Sequence, residues 1–303
     1  MRAVIFRRTG GPEVLEITDV PTPIPVAGEV LVRVAVTAVQ QFDTAVRSGW
    51  GPTTVEVKLP VITGNEFAGV IVALGEGVEG FAIGDRVGGR HTFGCAAEYL
   101  AVPATDIAVV PVSISFAEAA YLGGSGQTAH MAVEWLGVGK GDVLLVNGGS
   151  GGVGTVAIQL ALALGARVIA TGSAANQAYL ADLGATPLIY GDGLRERIEA
   201  AAPQGISVVL DCGGGHGLDV AIALGVDKAR IATIADHLRY KELGVHWPTG
   251  VRNGARLKTL LALAADGMVK AHIRQVFPLS QIAEAHRIVE AGHGAGKVVV
   301  EIG

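Results

Sequence analysis

Cysteine, aromatic residues and charge are all scarce in this chain. Only Cys95 and Cys212 occur among 303 residues, far apart and in no CxxC pair, which excludes a disulfide framework and a four-cysteine zinc lobe. Charged residues make up 17% and the formal net charge is -5, with no basic cluster to neutralise phosphates, so a nucleic-acid partner is not expected. Long apolar runs are missing too. The apolar run near the N-terminus spans only a few residues between Arg2 and Arg7, too short for a signal-peptide core, and a cytoplasmic protein is expected. The most apolar stretch, Thr155 to Ala170, is broken by Gln159, Gly165 and Arg167, which reads as a buried helix and strand and not as a membrane span.

What the chain does have is a hydrophobic content of 50% and 44 glycines without a collagen period. That is enough apolar residue for two ordinary domains, with glycine reserved for turns and tight junctions. From Met1 to about Pro111 the segments are short, β-rich and punctuated by Gly and Pro: Arg2–Phe6, Glu29–Val39, Ala68–Leu74, Arg86–Gly88, Ala97–Val102 and Ile107–Val110. A capping pair, Ser115 and Glu118, then opens an alanine-rich helical stretch. Between Asp142 and about Ala235 apolar strands alternate with helices, the pattern of a doubly wound parallel sheet covered on both faces. Two helices and a last strand, KVVVEI, follow, and the β character of that strand suggests a return to the first domain. The expected fold is therefore α/β, a barrel-like β domain beside a Rossmann doubly wound domain.

The sharpest chemical signal lies where the apolar strand Val143–Asn147 runs into Gly149, Gly151 and Gly154 in GxGxxG spacing and then into a helix. Gly149 is expected to make the tight turn, Gly151 to let the backbone approach a pyrophosphate, and Gly154 to let helix pack on strand; Ser150, Gly152 and Val153 complete the loop at the helix N-terminus. About twenty residues on, an acidic side chain would grip the ribose 2′-hydroxyl of NAD. Here the strand end reads Ile169 to Asn176 with no carboxylate before Asp182, and no Arg or Lys lies between Thr171 and Asp182. NADPH is the expected cofactor, with Ser173 and Asn176 as neutral donors to its 2′-phosphate.

These residues resemble the zinc-independent quinone oxidoreductases of the medium-chain dehydrogenase/reductase superfamily. The likeness rests on GGSGGVG after VLLVN, on Arg47 to Gly49, on Gly64 to Val87, on Gly94 to Pro103, and on the ending from Phe277 to Ile302. It implies a GroES-like domain over residues 1–118 and 268–303 and a Rossmann domain over 119–267, with the active site in the cleft between them. Zinc alcohol dehydrogenases of the superfamily carry a Cys where this chain has Gln40 and a His where it has Asn65, and neither amide is a tight zinc ligand, so no metal is expected. By family position Gln40, Asn65 and Thr128 line the catalytic cleft and Tyr190 approaches the 2′-phosphate. The resemblance implies an enzyme, a homodimer, that passes hydride from NADPH to a small quinone or an activated enone or enal; the competing reading is an NADPH-binding sensor or structural protein without significant turnover. Gln40 in place of the family's usual Asn, and Ala45 where some members have Tyr, leave the acceptor open. Cys95 reads as a small core residue, and most of the histidines, His286 and His293 among them, as solvated or structural.

Overall fold

The computed structural model describes every residue except Thr53, Thr54 and His293. The first third holds β1 (Arg2–Phe6), β2 (Glu16–Asp19), β3 (Glu29–Val39), α1 (Gln41–Arg47), β4 (Val61–Ile62), β5 (Glu66–Leu74), β6 (Arg86–Arg90), β7 (Tyr99–Pro103) and β8 (Ile107–Val109). Next come α2 (Phe116–Tyr121) and, after a π-helical turn over Leu122–Gly126, α3 (Gln127–Trp135). Strand and helix then alternate through β9 (Val143–Asn147), α4 (Gly152–Ala163), β10 (Arg167–Gly172), α5 (Gln177–Asp182), β11 (Thr186–Ile189), α6 (Leu194–Ala201), β12 (Val208–Asp211), α7 (His216–Ala223), β13 (Ile231–Thr233) and α8 (Tyr240–Leu243). The chain closes with α9 (Gly254–Ala265), β14 (Ile273–Pro278), α10 (Ile282–Ala291) and β15 (Lys297–Glu301).

β9 to β13 form a parallel sheet in the order β11-β10-β9-β12-β13, and all five residues of β9 are buried, as a strand covered on both faces requires. A sixth strand is reduced to a single parallel bridge between Ala232 and His246. The other large sheet is built on β3, whose first half pairs with β7 and whose second half pairs with β15, so the C-terminus does return to the N-terminal sheet. β5, β6 and β8 continue that sheet on the other side of β3, and β14 flanks β15. No helix is long and apolar enough to cross a membrane among the described residues.

Three strands escaped the pattern reading: β2, β4 and β14. β2 and β14 are mostly exposed edge strands without alternation, and β4 is two residues long, so none carries an apolar period to detect. Two others run further than expected, and this bears on the site. β5 begins at Glu66 and β6 ends at Arg90, and the antiparallel register sets these two residues opposite each other.

The Ser115–Glu118 capping box forms: the Ser115 hydroxyl accepts from the Glu118 amide at 3.2 Å, and the Glu118 carboxylate accepts from the Ser115 amide at 2.8 Å. The π-helical turn that follows contains three glycines, and other chain segments press on two of them. A methyl at Gly123 would lie 2.5 Å from Gly89 O, and one at Gly124 would collide with the side chains of Glu66 and Gln40.

Candidate active site

The glycine loop leaves β9 at Asn147 and enters α4 at Gly152. The left-handed turn falls on Gly148, at φ 74°, and not on Gly149, which was expected to make it. Gly149 is glycine for another reason: a methyl there would meet Ala170 Cβ at 2.8 Å and Ile158 Cδ1 at 3.1 Å. Gly154 does pack the helix onto the loop, since a methyl would sit 2.6 Å from Gly148 O and 2.7 Å from Gly149 Cα. Gly151 differs from both. An added methyl would approach only Gly148 O, at 3.4 Å, so its outward face is open backbone at a helix N-terminus, the feature a pyrophosphate uses. The loop is held by the β-rich domain as well as its own: Gly296 N donates to Ser150 O at 2.9 Å, and Tyr121 Oη donates to Gly152 O at 2.6 Å. Val153 packs, partly buried, against the main core.

Beyond β10 the three expected phosphate donors have distinct surroundings. Asn176 is buried and spends one amide hydrogen on Ser150 Oγ at 3.0 Å. Ser173 Oγ is buried with no partner. Tyr190 is exposed just past β11. A cation missed in the sequence also reaches this edge: Arg197 on α6 donates to Ile189 O at 3.0 Å and Gly191 O at 3.2 Å, on either side of Tyr190. Arg197 lies outside the Thr171–Asp182 window and arrives only through the pairing of β10 with β11.

Gln40 and Thr128, from two distant segments, both meet Gly124 of the π-helical turn, while Asn65 precedes β5 next to Glu66, whose carboxylate lies against the same glycine. Gln40 opens α1, its amide donating to Asp43 Oδ2 at 2.8 Å, while its side chain lies against Gly124 beside Glu66. Behind it is a buried charge cluster: Lys297 Nζ meets Glu66 Oε1 at 2.5 Å and donates to Ser125 Oγ at 3.0 Å, and Glu66 Oε2 accepts from Ser125 N at 3.0 Å. Burial raises the Glu66 carboxyl while Lys297 opposes that shift, and burial pushes Asp43 up to about 7. Thr128 donates its hydroxyl proton back to Gly124 O at 3.1 Å and accepts from Arg252 at 3.2 Å, so its proton is committed and it is a poor proton donor to a substrate. Asn65 is buried and accepts from Arg90 at 3.1 Å.

An aromatic wall was not anticipated. Phe42 packs edge-on against Trp50 at 5.8 Å and lies tilted against Phe93 at 5.9 Å, and Trp50 in turn meets His237, from the segment after β13, at 4.9 Å. Phe93 holds φ at 70°, a left-handed conformation that costs a bulky residue energy and orients the loop after β6. Among the described residues no three His, Cys, Asp or Glu side chains gather in a way that could hold a metal ion. Cys95 is a buried thiol, pushed above its ordinary range by burial and donating to His91 O at 3.4 Å, as a core residue would. His293 lies outside the described residues. An open cavity of about 330 Å³ is lined by His130, Glu134, Val251 and Arg256 and includes no residue of the glycine loop, so it is not the site assembled here.

Residues 26–113 match the family described as alcohol dehydrogenase GroES-like domain, and residues 183–300 match the one described as zinc-binding dehydrogenase. The chain is 32% identical to 2-methylene-furan-3-one reductase of Solanum lycopersicum, over 99% of this chain and 79% of the relative. It is 31% identical to the chloroplastic NADPH-dependent alkenal/one oxidoreductase of Arabidopsis thaliana, over the same shares. Its backbone superimposes on the quinone oxidoreductase of Coxiella burnetii with a TM-score of 0.89, at 30% identity, covering 100% of this chain and 99% of the other.

Proposed function

Because this chain belongs to the quinone oxidoreductases of the medium-chain dehydrogenase/reductase superfamily, we propose that it moves a hydride from NADPH to a quinone or to the activated double bond of an enone or enal, without zinc. The observation that carries this reading is Gly151: open backbone at the N-terminus of a twelve-residue helix, at the carboxyl end of a central parallel strand. A dinucleotide fits the residues present. Its pyrophosphate would be held at Gly151 and Gly152, and the orphaned Ser173 hydroxyl, with Asn176 three residues on and Tyr190 and Arg197 at the end of the neighbouring β11, favours a 2′-phosphate over a bare ribose.

When bound, NADPH supplies two electrons and one proton as hydride. The remaining work belongs to the protein. With Gln40 and Asn65 in place of zinc ligands, the cleft has no Lewis acid to polarise an ordinary ketone, and its acceptor must already be electron-poor. The Phe42–Trp50–Phe93 wall offers flat apolar surface to a planar conjugated acceptor and helps keep water out. Since the Thr128 hydroxyl is engaged with Gly124, solvent delivers the second proton, and the acceptor leaves as a hydroquinone or a saturated carbonyl.

The test compares a simple quinone, an enone, and a secondary alcohol with NADP, together with zinc analysis of the purified protein. Steady NADPH oxidation with quinone or enone, a primary isotope effect from nicotinamide-deuterated NADPH and indifference to chelators are expected. Efficient alcohol oxidation with negligible quinone or enone reduction, or one zinc per chain whose removal abolishes activity, would overturn the proposal.

A further inference from the structure

Two arginines at the cleft have no acidic partner. Arg90, at the end of β6, donates from Nη2 to Asn65 Oδ1 at 3.1 Å and to Thr92 Oγ1 at 3.3 Å, and its Nε is buried without any partner. Arg252, in the segment that leads into α9, donates from Nη1 to Thr128 Oγ1 at 3.2 Å. Among the described residues neither guanidinium meets a carboxylate, whereas eleven other cation–carboxylate contacts run from the exposed surface to the buried Lys297–Glu66 pair. Two acids, Glu66 and Asp106, lie near enough to act on Arg90 without contacting it: Glu66 is spent on Lys297 and the Ser125 amide, and Asp106 accepts from the Thr105 hydroxyl. Both arginines are partly buried, and they stand near enough for the charge of Arg90 to act on Arg252, whose guanidinium is pushed down to about 10 chiefly by burial. Both remain cationic at neutral pH.

Partly burying two like charges around one turn with only amide and hydroxyl acceptors in contact is unfavourable, and an anion bound between them would offset that cost. Arg90 follows Gly89, whose carbonyl lies against Gly123, and Arg252 bonds Thr128, which bonds Gly124 O, so both arginines border the π-helical turn, each bonded to a residue of the proposed acceptor site and not to the glycine loop. We propose that Arg90 and Arg252 form a clamp for a carboxylate carried by the acceptor, so that the physiological substrate is an acidic enone or quinone. This inference rests on the hydride-transfer reading above and adds the charge of the substrate to it. The planar fork of a guanidinium suits a carboxylate in two-point contact, and two forks facing one site set the orientation of the activated double bond.

The experiment pairs acetylacrylate, a carboxylated enone, with its methyl ester, which keeps the conjugation and removes the charge. NADPH oxidation is measured with the parent, Arg252→Gln, Arg252→Lys and Arg90→Gln. The parent is expected to favour the acid over the ester in kcat/KM by about tenfold or more, the scale of a charge-assisted hydrogen bond. Arg252→Gln and Arg90→Gln bring that ratio close to one, through KM, and Arg252→Lys restores part of it. A second readout needs no turnover: levulinate, the saturated product, raises the melting temperature of the parent in the presence of NADP, its methyl ester does not, and Arg252→Gln abolishes the shift.

A parent that reduces acid and ester alike, or a Gln variant that keeps the acid preference, overturns the clamp while leaving hydride transfer intact. Weakened NADPH binding in Arg252→Gln with an unchanged acid-to-ester ratio reassigns the arginine to the cofactor and equally overturns it. Failure of every enone and quinone to oxidise NADPH strikes the broader reading instead, and the levulinate shift still decides whether the carboxylate site exists.

Discussion

At Gly151 and Gly154, three residues apart in one loop, the same added side chain meets opposite surroundings. At Gly154 a methyl would press on Gly148 O and Gly149 Cα at 2.6 and 2.7 Å, backbone atoms with no rotamer to yield. Gly151 has φ -71° and ψ 170°, extended values open to any residue, and only Gly148 O nearby. Gly151→Val should therefore melt close to the parent while losing NADPH binding by more than about tenfold, because the side chain fills the space where backbone meets pyrophosphate. Gly154→Val should lose stability as well, by roughly 1–3 kcal/mol or more from overpacking. Thermal melts paired with NADPH fluorescence titrations separate the two effects. Unchanged NADPH affinity in folded Gly151→Val removes that residue from the site.

Helix α10 packs against α1, and a buried arginine joins them: Arg47 donates to Gly10 O at 2.6 Å and pairs with Glu290. His286 sits on the buried face of α10 with Ile282 and Ala285, its Nδ1 unpartnered, and burial together with the charge of Arg47 pushes its pKa down to about 3. A histidine held neutral in the fold but free to protonate when unfolded contributes stability that is full above its ordinary value of about 6.5 and drains away as pH falls toward 3. The slope is about 1.4 kcal/mol per pH unit inside that window. His286→Leu should flatten it: urea midpoints measured at pH 7 and pH 4.5 should fall less in the variant than in the parent. Equal falls would mean that His286 protonates without penalty. The helix was legible in the sequence because its apolar period is local, and so were the strands of the parallel sheet, whose all-apolar runs announce burial on both faces. The strand–loop–helix of the glycine loop was legible for the same reason, since its glycine spacing spans six consecutive residues, although the left-handed turn fell on Gly148 and not on Gly149. The rest of the candidate site was only partly so. Gln40, Asn65 and Thr128 came from family position, whereas the placements of Arg90, Arg252, Arg197 and the Trp50–His237 contact depend on strand register and on approaches between distant segments that no local pattern encodes.

Each sheet has an apolar cluster of its own on one face, around Val30, Val32 and Phe67 in the mixed sheet and around Leu145, Ile169 and Val209 in the parallel sheet, but the largest cluster is shared between them. One continuous apolar cluster takes in Val36, Ala38, Ala68 and Val299 from the mixed sheet and Leu144, Val146, Val208 and Leu210 from the parallel sheet, with Ala119, Ala120, Tyr121 and Leu122 of α2 and its π-helical turn among them. Polar contacts cross the same boundary, from Gly296 N to Ser150 O at 2.9 Å and from Lys297 Nζ to Ser125 Oγ at 3.0 Å. Chains of this length with two domains often unfold in steps, because an ordinary interdomain contact is too small and too polar to couple them. Here, exposing one sheet strips apolar cover from the other, and the buried Lys297–Glu66 pair would have to be wetted in the same event. The whole chain should therefore unfold in a single cooperative transition. NADPH at a hundredfold excess over its Kd should move that transition as a unit, by about 2.7 kcal/mol, because binding to the folded state alone stabilises everything that unfolds with it. Scanning calorimetry with and without NADPH, alongside far-UV and near-UV circular dichroism, makes the measurement. Two resolved transitions, of which only one responds to NADPH, would show that the glycine loop belongs to a domain that melts alone, and that the shared apolar cluster does not couple the two sheets.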